Sequence, residues 1–382
     1  MISRDRMTVY VEDLIKIDSI SRKEKDVALK LKKDMEKLGA ECAFDDAGEK
    51  VGGNTGNLIV KFEGNKRNSA PLLLSSHMDT VEPGEGIKPK IEKGIMRSDG
   101  TTILGSDDKS GLAIIVEVLR TLKEKDLPHG DIEIAFTICE EVGLLGAKFI
   151  DAGRFRSKKG VVLDSSTPDR LVLKCPSSDK ITVEIKGYEA HAGLCPENGL
   201  NAIRIASEAI ALMTIGRIDH ETTANIGIIK GGTAVNTVPG YVKVSGEARS
   251  HDNAKLDAQI EHMISCFFEA SSNHALKING RTITPEVNTS VQRIYNRMDV
   301  SDDSVVTRLV DNAVDKLGHN IKHHTTGGGC DANYFNYKGI ECVNLGTGMY
   351  DLHTLNEYLV LDEFYRSAEI VLEAVQLNTK EQ

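Results

Sequence analysis

A change of secondary-structure grammar partway along the chain restricts the fold more than any other feature. Up to Asp164, β-like runs alternate with amphipathic helices. Val27, Leu31, Met35 and Leu38 recur at helical spacing and stop at Gly39, which predicts a helix over 24–38. Runs at 57–62 and 71–75 follow, then a helix over 109–122 with Leu112, Ile115, Val116, Leu119 and Leu122 inward. Ile132, Ile134, Phe136 and Ile138 alternate along a strand, and Val161 to Leu163 form a shorter one ending in Asp164. From about Lys180 the order becomes strand (181–185), helix (200–213), strand (225–230), strand (241–248) and helix (256–268), closed by a strand near 281–287. A helix over 304–317, a strand over 340–345 and a helix over 362–377 then resume the first pattern. Strand, helix, strand in succession predicts an α/β fold with a central, mostly parallel sheet flanked by helices. The interruption reads as a βαββαβ-like α+β sandwich. The expected organisation is a discontinuous outer domain, 1–177 and 290–382, with an inserted domain at 178–289.

A chain of 382 residues has room for two such cores. A formal charge of −10 repels a phosphate backbone, which excludes nucleic acid as a partner. No run approaches the roughly 18 uncharged apolar residues of a membrane span, and the opening MISRDRMTVYVEDL lacks the apolar core of a signal peptide, so a cytoplasmic location away from membranes is expected. The seven cysteines are odd in number and form no CxxC pair, which points to small core residues and to neither a disulfide framework nor a zinc finger.

Ligands of open α/β sheets gather beyond the carboxyl ends of the strands. The conspicuous polar residues fall there: His77-Met78-Asp79 after Leu72–Leu74, Glu140-Glu141 after Ile138, Asp164 after Leu163, and Asp351-Leu352-His353 after Val343–Leu345. Asp107-Asp108 opens the Leu112 helix at a neighbouring edge. Each has an ordinary reading, as a structural histidine, a solvated acidic pair or a helix cap. Together they place several carboxylates in one region, which is costly without cations to neutralise them. Two histidines with Asp and Glu form the N/O donor set of catalytic zinc, which also suits manganese or cobalt. A nucleophilic alternative would use Cys139, but its place at the end of an apolar strand, with no adjacent basic residue, fits a buried structural thiol.

The segments SSHMDTV, LGSDDKSGLA, ICEEVGLLGA, VLDSS, GYEAHAG, GGTAVNTVPG and TGMYDLHTLNEY, in this order from residue 75 to 358, resemble the peptidase T branch of the di-zinc exopeptidase family that includes glutamate carboxypeptidase and acetylornithine and succinyl-diaminopimelate deacylases. The resemblance implies that the outer domain is catalytic and holds two divalent metal ions, and that the insert is a lid or dimerisation domain. His77 would bind one ion with Asp79 behind its imidazole, Asp107 would bridge both, Asp164 would complete the first, and Glu141 with His353 would hold the second. Glu140 would be the general base. A cis Asp107–Asp108 peptide bond is implied as well. His191 would reach a partner subunit's active site in a homodimer and stabilise the oxyanion.

Arg249 and Asn236 are candidates to grip a substrate carboxylate or backbone, with surface or turn roles open to both. Gly327 to Gly329 read as a turn or as a substrate loop in which Gly328 and Gly329 let backbone amides approach a ligand. The implied activity is hydrolysis of short peptides, with release of the N-terminal residue of a tripeptide. A carboxypeptidase, a dipeptidase or an N-acyl amino acid deacylase on the same scaffold, and a binding protein that has lost catalysis, are the alternatives.

Overall fold

The structure, a computed structural model, describes residues 2–66, 69–278 and 280–379. Met1 and 380–382, where the expected outer domain begins and ends, lie outside the described residues. The chain divides into two compact units, Met1–Cys175 with Met298–Gln382, and Pro176–Arg297.

The first unit is built on a nine-stranded sheet. Four parallel strands form its middle, in the order Ile132–Thr137, Leu72–His77, Lys159–Ser165 and Glu341–Gly346. Antiparallel strands flank them: Leu58–Phe62 and Glu41–Phe44 on one side, Arg170–Cys175 and Met298–Asp299 on the other. Lys322–Thr325 adds in parallel to Arg170–Cys175. Every residue of Leu72–His77 and Ile132–Thr137 is buried, as parallel strands covered on both faces must be. Glu133, which the alternation places on a polar face, is buried too. Its carboxylate accepts from the Arg156 N–H and from the N–H and hydroxyl of Ser157, which satisfies it without water.

Helices Arg4–Ile15, Ser106–Glu124, Val305–Lys316 and Leu361–Leu377 share this unit's apolar core. Ser106–Glu124 starts three residues earlier than its apolar spacing predicts, and its first turn is irregular. Asp107 (φ −80°, ψ 101°) and Asp108 (φ −121°, ψ 35°) depart from helical geometry, and the bond between them is cis. A Cβ on Gly111 would lie 2.4 Å from the Leu163 carbonyl oxygen and 2.6 Å from Asp108 Oδ1. The helix start is therefore pressed against the end of the neighbouring strand, and only glycine permits that approach.

The second unit is a five-stranded antiparallel sheet in the order Gly216–Arg217, Thr222–Gly231, Tyr241–Ser250, Ser177–Lys186 and Glu286–Tyr295. Helices Ala202–Leu212 and Asn253–Ser272 bury Ile205, Met263 and Phe267 against Ile181, Val183, Ile185, Val242 and Val244. The βαββαβ order is present, but the closing strand is displaced. Pro285 has no N–H to give to a ladder, and it divides the expected strand at 281–287. Arg281–Ile283 folds back on Leu276–Ile278, while Glu286–Tyr295 closes the sheet. The expected boundaries at 177/178 and 290 fall inside strands Ser177–Lys186 and Glu286–Tyr295, so the unit runs from Pro176 to Arg297. Among the described residues no helix is long and apolar enough to cross a membrane.

Candidate metal centre

The four central strands run in one direction, so His77, Asp164 and the loops carrying Glu140, Glu141 and His353 leave the sheet at one edge. Asp107 meets them there. His77 Nε2 lies 2.9 Å from Asp107 Oδ1 and 3.9 Å from Asp164 Oδ1. His353 Nε2 lies 3.2 Å from Asp107 Oδ2 and 2.9 Å from Glu141 Oε1. Each oxygen of Asp107 thus faces its own imidazole, and each imidazole has a further carboxylate. Among the described residues, three sets have donor atoms within 4.8 Å of one another: His77, Asp107 and Asp164; Asp107, Glu141 and His353; and His77, Glu140 and Glu141.

The His77 ring is oriented from behind. Its Nδ1 is 2.9 Å from the Asp79 carbonyl oxygen, so the Nδ1 proton is donated there and Nε2 is the ring atom turned toward Asp107. This differs from the contact the resemblance implies for the Asp79 carboxylate, whose Oδ1 stands 3.5 Å from Nδ1. That carboxylate accepts instead from the N–H groups of Glu140 (2.9 Å) and Glu141 (3.2 Å) and from the Ser21 hydroxyl (2.7 Å). Asp79 therefore holds both loops, His77 through its backbone and Glu140-Glu141 through its side chain. Asp108 secures the strand end by accepting from the Ser76 hydroxyl at 2.6 Å and the His77 N–H at 3.2 Å.

The electrostatics are those of crowded carboxyls, the innermost of them buried. Burial, then the facing Asp164, pushes the Glu140 carboxyl well above its ordinary range; burial, then Asp107, does the same to Asp164. Hydrogen bonds to Asp107 and Glu141 push the His353 imidazole up to about 10. Burial opposes ionisation of Asp107, but the bonds to His353 and His77 outweigh it and hold this carboxyl far below the usual value. Cys139, Asp351 and His353 all have left-handed backbone (φ 54°, 51° and 61°), a strain that recurs where a fold must present side chains in a fixed direction.

Three contributors were not singled out in the sequence. Glu24 is fully buried, and its Oε1 accepts from the Arg22 and Cys139 N–H groups and the Cys139 thiol, pinning the turn that carries Glu140. Burial, then Glu24, pushes that thiol far up, consistent with a structural cysteine. Asp331, directly after Gly327–Cys330, accepts from the Thr137 hydroxyl at the end of strand Ile132–Thr137 and has its Oδ1 buried without a partner. The glycine run was the available signal for it. Glu357 is the third.

Gly327 and Gly328 need their lack of a side chain for neither φ nor packing, since a Cβ would meet nothing within 3.8 Å at either position. Gly329 completes the loop between Lys322–Thr325 and the helix Asp331–Tyr337. In the second unit, His191 pairs with Thr237 in a short ribbon, and the Ala192 N–H donates to the Asn236 carbonyl at 2.9 Å, so these two residues are neighbours. His191 Nδ1 accepts from the Gly193 and Leu194 N–H groups, both at 3.2 Å, which places the neutral ring's proton on Nε2. Arg249 is elsewhere. It lies opposite Ser178 at the far end of strand Tyr241–Ser250, with its guanidinium bonded to Glu247. Eight residues at about 3.4 Å each separate it from Tyr241 by about 27 Å.

Comparison with known proteins places this arrangement. Residues 73–377 match peptidase family M20/M25/M40. The chain is 38% identical over 377 residues to the Bacillus subtilis protein YqjE, covering 98% of this chain and 99% of that one. Among solved structures it is similar to the aminopeptidase PepT of Bacillus cereus (39% identity, TM-score 0.87) and to a tripeptidase of Staphylococcus aureus (34% identity, TM-score 0.92), each over the whole of both chains.

Proposed function

The chain belongs to peptidase family M20/M25/M40 and is a metal-dependent peptidase, and on that premise we propose that it is a tripeptide aminopeptidase whose centre takes two divalent ions, zinc or in its place manganese or cobalt, on either side of Asp107. The observation that carries the two-ion reading is the division of Asp107, with Oδ1 toward His77 and Oδ2 toward His353. The donor set fits such ions, since it has imidazole nitrogens and carboxylate oxygens, no thiolate, and a surplus of negative charge, with His77, Asp107 and Glu140 buried. His77, Asp164 and one oxygen of Asp107 would hold one ion; Glu141, His353 and the other oxygen would hold the second.

Two ions held this way would supply a water of lowered pKa and would polarise the scissile carbonyl. Glu140, kept in place by the bond from its N–H to Asp79, takes the proton of the attacking water on its carboxylate and passes it to the departing amine. His191 offers its Nε2–H to the developing oxyanion. Asn236 beside it and the open loop at Gly328 and Gly329 would contact the peptide, and Arg249 would bind its carboxylate by exchanging Glu247 for the substrate. The protein would be a cytoplasmic homodimer, joined through the inserted unit, in which the partner lends His191; the GYEAHAG and GGTAVNTVPG segments, which carry the resemblance in that unit, support this. The similarity to PepT and the tripeptidase supports the end specificity.

The test is a panel of tripeptides, each with free, N-acetylated or C-amidated ends, offered to the zinc- and manganese-loaded protein with products identified by mass. Metal-dependent release of the N-terminal residue from free tripeptides is expected, with loss on acetylation. Release of the C-terminal residue, cleavage of N-acyl substrates only, or no cleavage by metal-replete protein would overturn the aminopeptidase reading.

His191→Ala is expected to lower kcat with metal content unchanged, because it removes a transition-state contact and no ligand. Mixed with Glu140→Gln protein under conditions where subunits exchange, it should regain activity, since one site of each hybrid holds both intact groups. Demonstrated exchange without recovery would place His191 in its own chain's site or outside catalysis.

A further inference from the structure

Glu357 is 1% exposed, and both of its oxygens are fully used. Oε2 accepts from the N–H groups of Leu104 and Gly105, each at 2.9 Å. Oε1 accepts from the Ser106 hydroxyl at 2.6 Å and the Asp107 N–H at 3.1 Å. All four donors belong to the segment that delivers Asp107, 250 residues away in sequence.

That segment cannot satisfy itself. Gly105 is left-handed (φ 71°) and Asp107 and Asp108 are non-helical, so these N–H groups point away from helix and ladder partners inside a buried region. Three of the four donors are backbone amides, which can only donate, and they approach both sides of the Glu357 carboxyl. Only a carboxylate accepts on both sides; an amide would turn an NH2 toward two donors. Glu357 also lies four residues after His353, in a turn closed by the Glu357 N–H to the Thr354 carbonyl at 3.2 Å.

We propose that Glu357 is a positioning residue for the metal centre: it fixes the backbone of Asp107 and, through the turn 353–357, ties the placement of Asp107 to that of His353. One strut then sets the carboxylate between the two imidazoles and one of those imidazoles together. This rests on the two-ion reading, and the test separates the two claims.

Wild-type and Glu357→Gln proteins are loaded with zinc alone, dialysed against a graded chelator and counted for zinc per chain. In parallel, cobalt-substituted samples give visible spectra, and kcat and KM are measured on one tripeptide. The expected result for Glu357→Gln is a metal-free fold that is retained by circular dichroism, zinc affinity lower by about 10–100-fold, an altered cobalt spectrum, and a fall in kcat larger than any change in KM. A merely structural role would lower thermal stability and leave the cobalt spectrum of the folded protein unchanged. Should Glu357→Gln fail to fold, Ser106→Ala, which removes one donor and keeps the carboxylate, decides: a several-fold loss of zinc affinity supports the role, and wild-type affinity overturns it. Wild-type zinc binding and an unshifted cobalt spectrum in Glu357→Gln likewise overturn it. A wild-type protein that retains fewer than two zinc ions refutes the two-ion reading itself, and this role with it.

Discussion

Glu140→Gln protein is expected to keep its metal and lose at least about 10²-fold in kcat on a tripeptide, because the amide matches the carboxylate in shape but cannot take a proton from water. The loop around it should survive the change. The Glu140 N–H stays bonded to Asp79 Oδ1, and Glu24 still pins Cys139 on the other side. The variant also resolves an ambiguity in the geometry, since the donor atoms of Glu140 fall in one compact set with His77 and Glu141. A base leaves metal content intact when it is replaced; a ligand does not. Retained zinc with collapsed turnover assigns Glu140 as the base, lost zinc assigns it as a ligand, and near-normal turnover by metal-replete protein removes it from the reaction.

The second large effect concerns the imidazoles. His77 and His353 face opposite oxygens of Asp107 and have different carboxylate companions, Asp164 for one and Glu141 for the other. His77→Ala and His353→Ala should therefore each lower the retained zinc from two ions to one and abolish most turnover, because the reaction needs both ions. The two need not be equally severe. His77 is buried and oriented by the Asp79 carbonyl, whereas the His353 side chain is 53% exposed and stands on a left-handed turn. The expected order under increasing chelator is earlier loss of the site served by His353. Two ions retained at wild-type affinity in both variants would show that the imidazoles do not bind them.

Much of this was legible because the chemistry is local to strand ends. His77, Glu140, Glu141, Asp164 and His353 each follow a short apolar run, and such runs in α/β proteins end at the edge where ligands gather. The Leu112 helix was equally plain, since its apolar positions recur over several turns. What was hidden is long-range or compensatory. Glu357 reads as one acidic residue in a loop, and its worth lies in four donors some 250 residues upstream. Glu24 reads as the polar start of an amphipathic helix, and its partner Cys139 is 115 residues away. Asp79 stands two residues from His77, which suggests a side-chain contact; its Oδ1 is 3.5 Å from the imidazole, its backbone carbonyl is nearer, and the same carboxylate also accepts from the next loop, which the spacing does not reveal. Strands such as Lys90–Glu92 are three residues long and wholly exposed, so they carry no periodicity to read. Around 281–287 the β-like residues suggest one strand, but Pro285 decides where pairing can resume.

Whether Asp107 serves two ions at once is tested most directly by counting zinc in dialysed wild-type and Asp107→Ala proteins. Neither imidazole contact of Asp107 can be replaced from the same position, because both of its oxygens are engaged and its backbone is fixed by Glu357. The expected result is two zinc ions per wild-type chain and a loss that reaches both sites in Asp107→Ala, unlike the single-site loss of either histidine variant. Two ions held by Asp107→Ala at wild-type affinity, or a wild-type chain that binds only one, would contradict it.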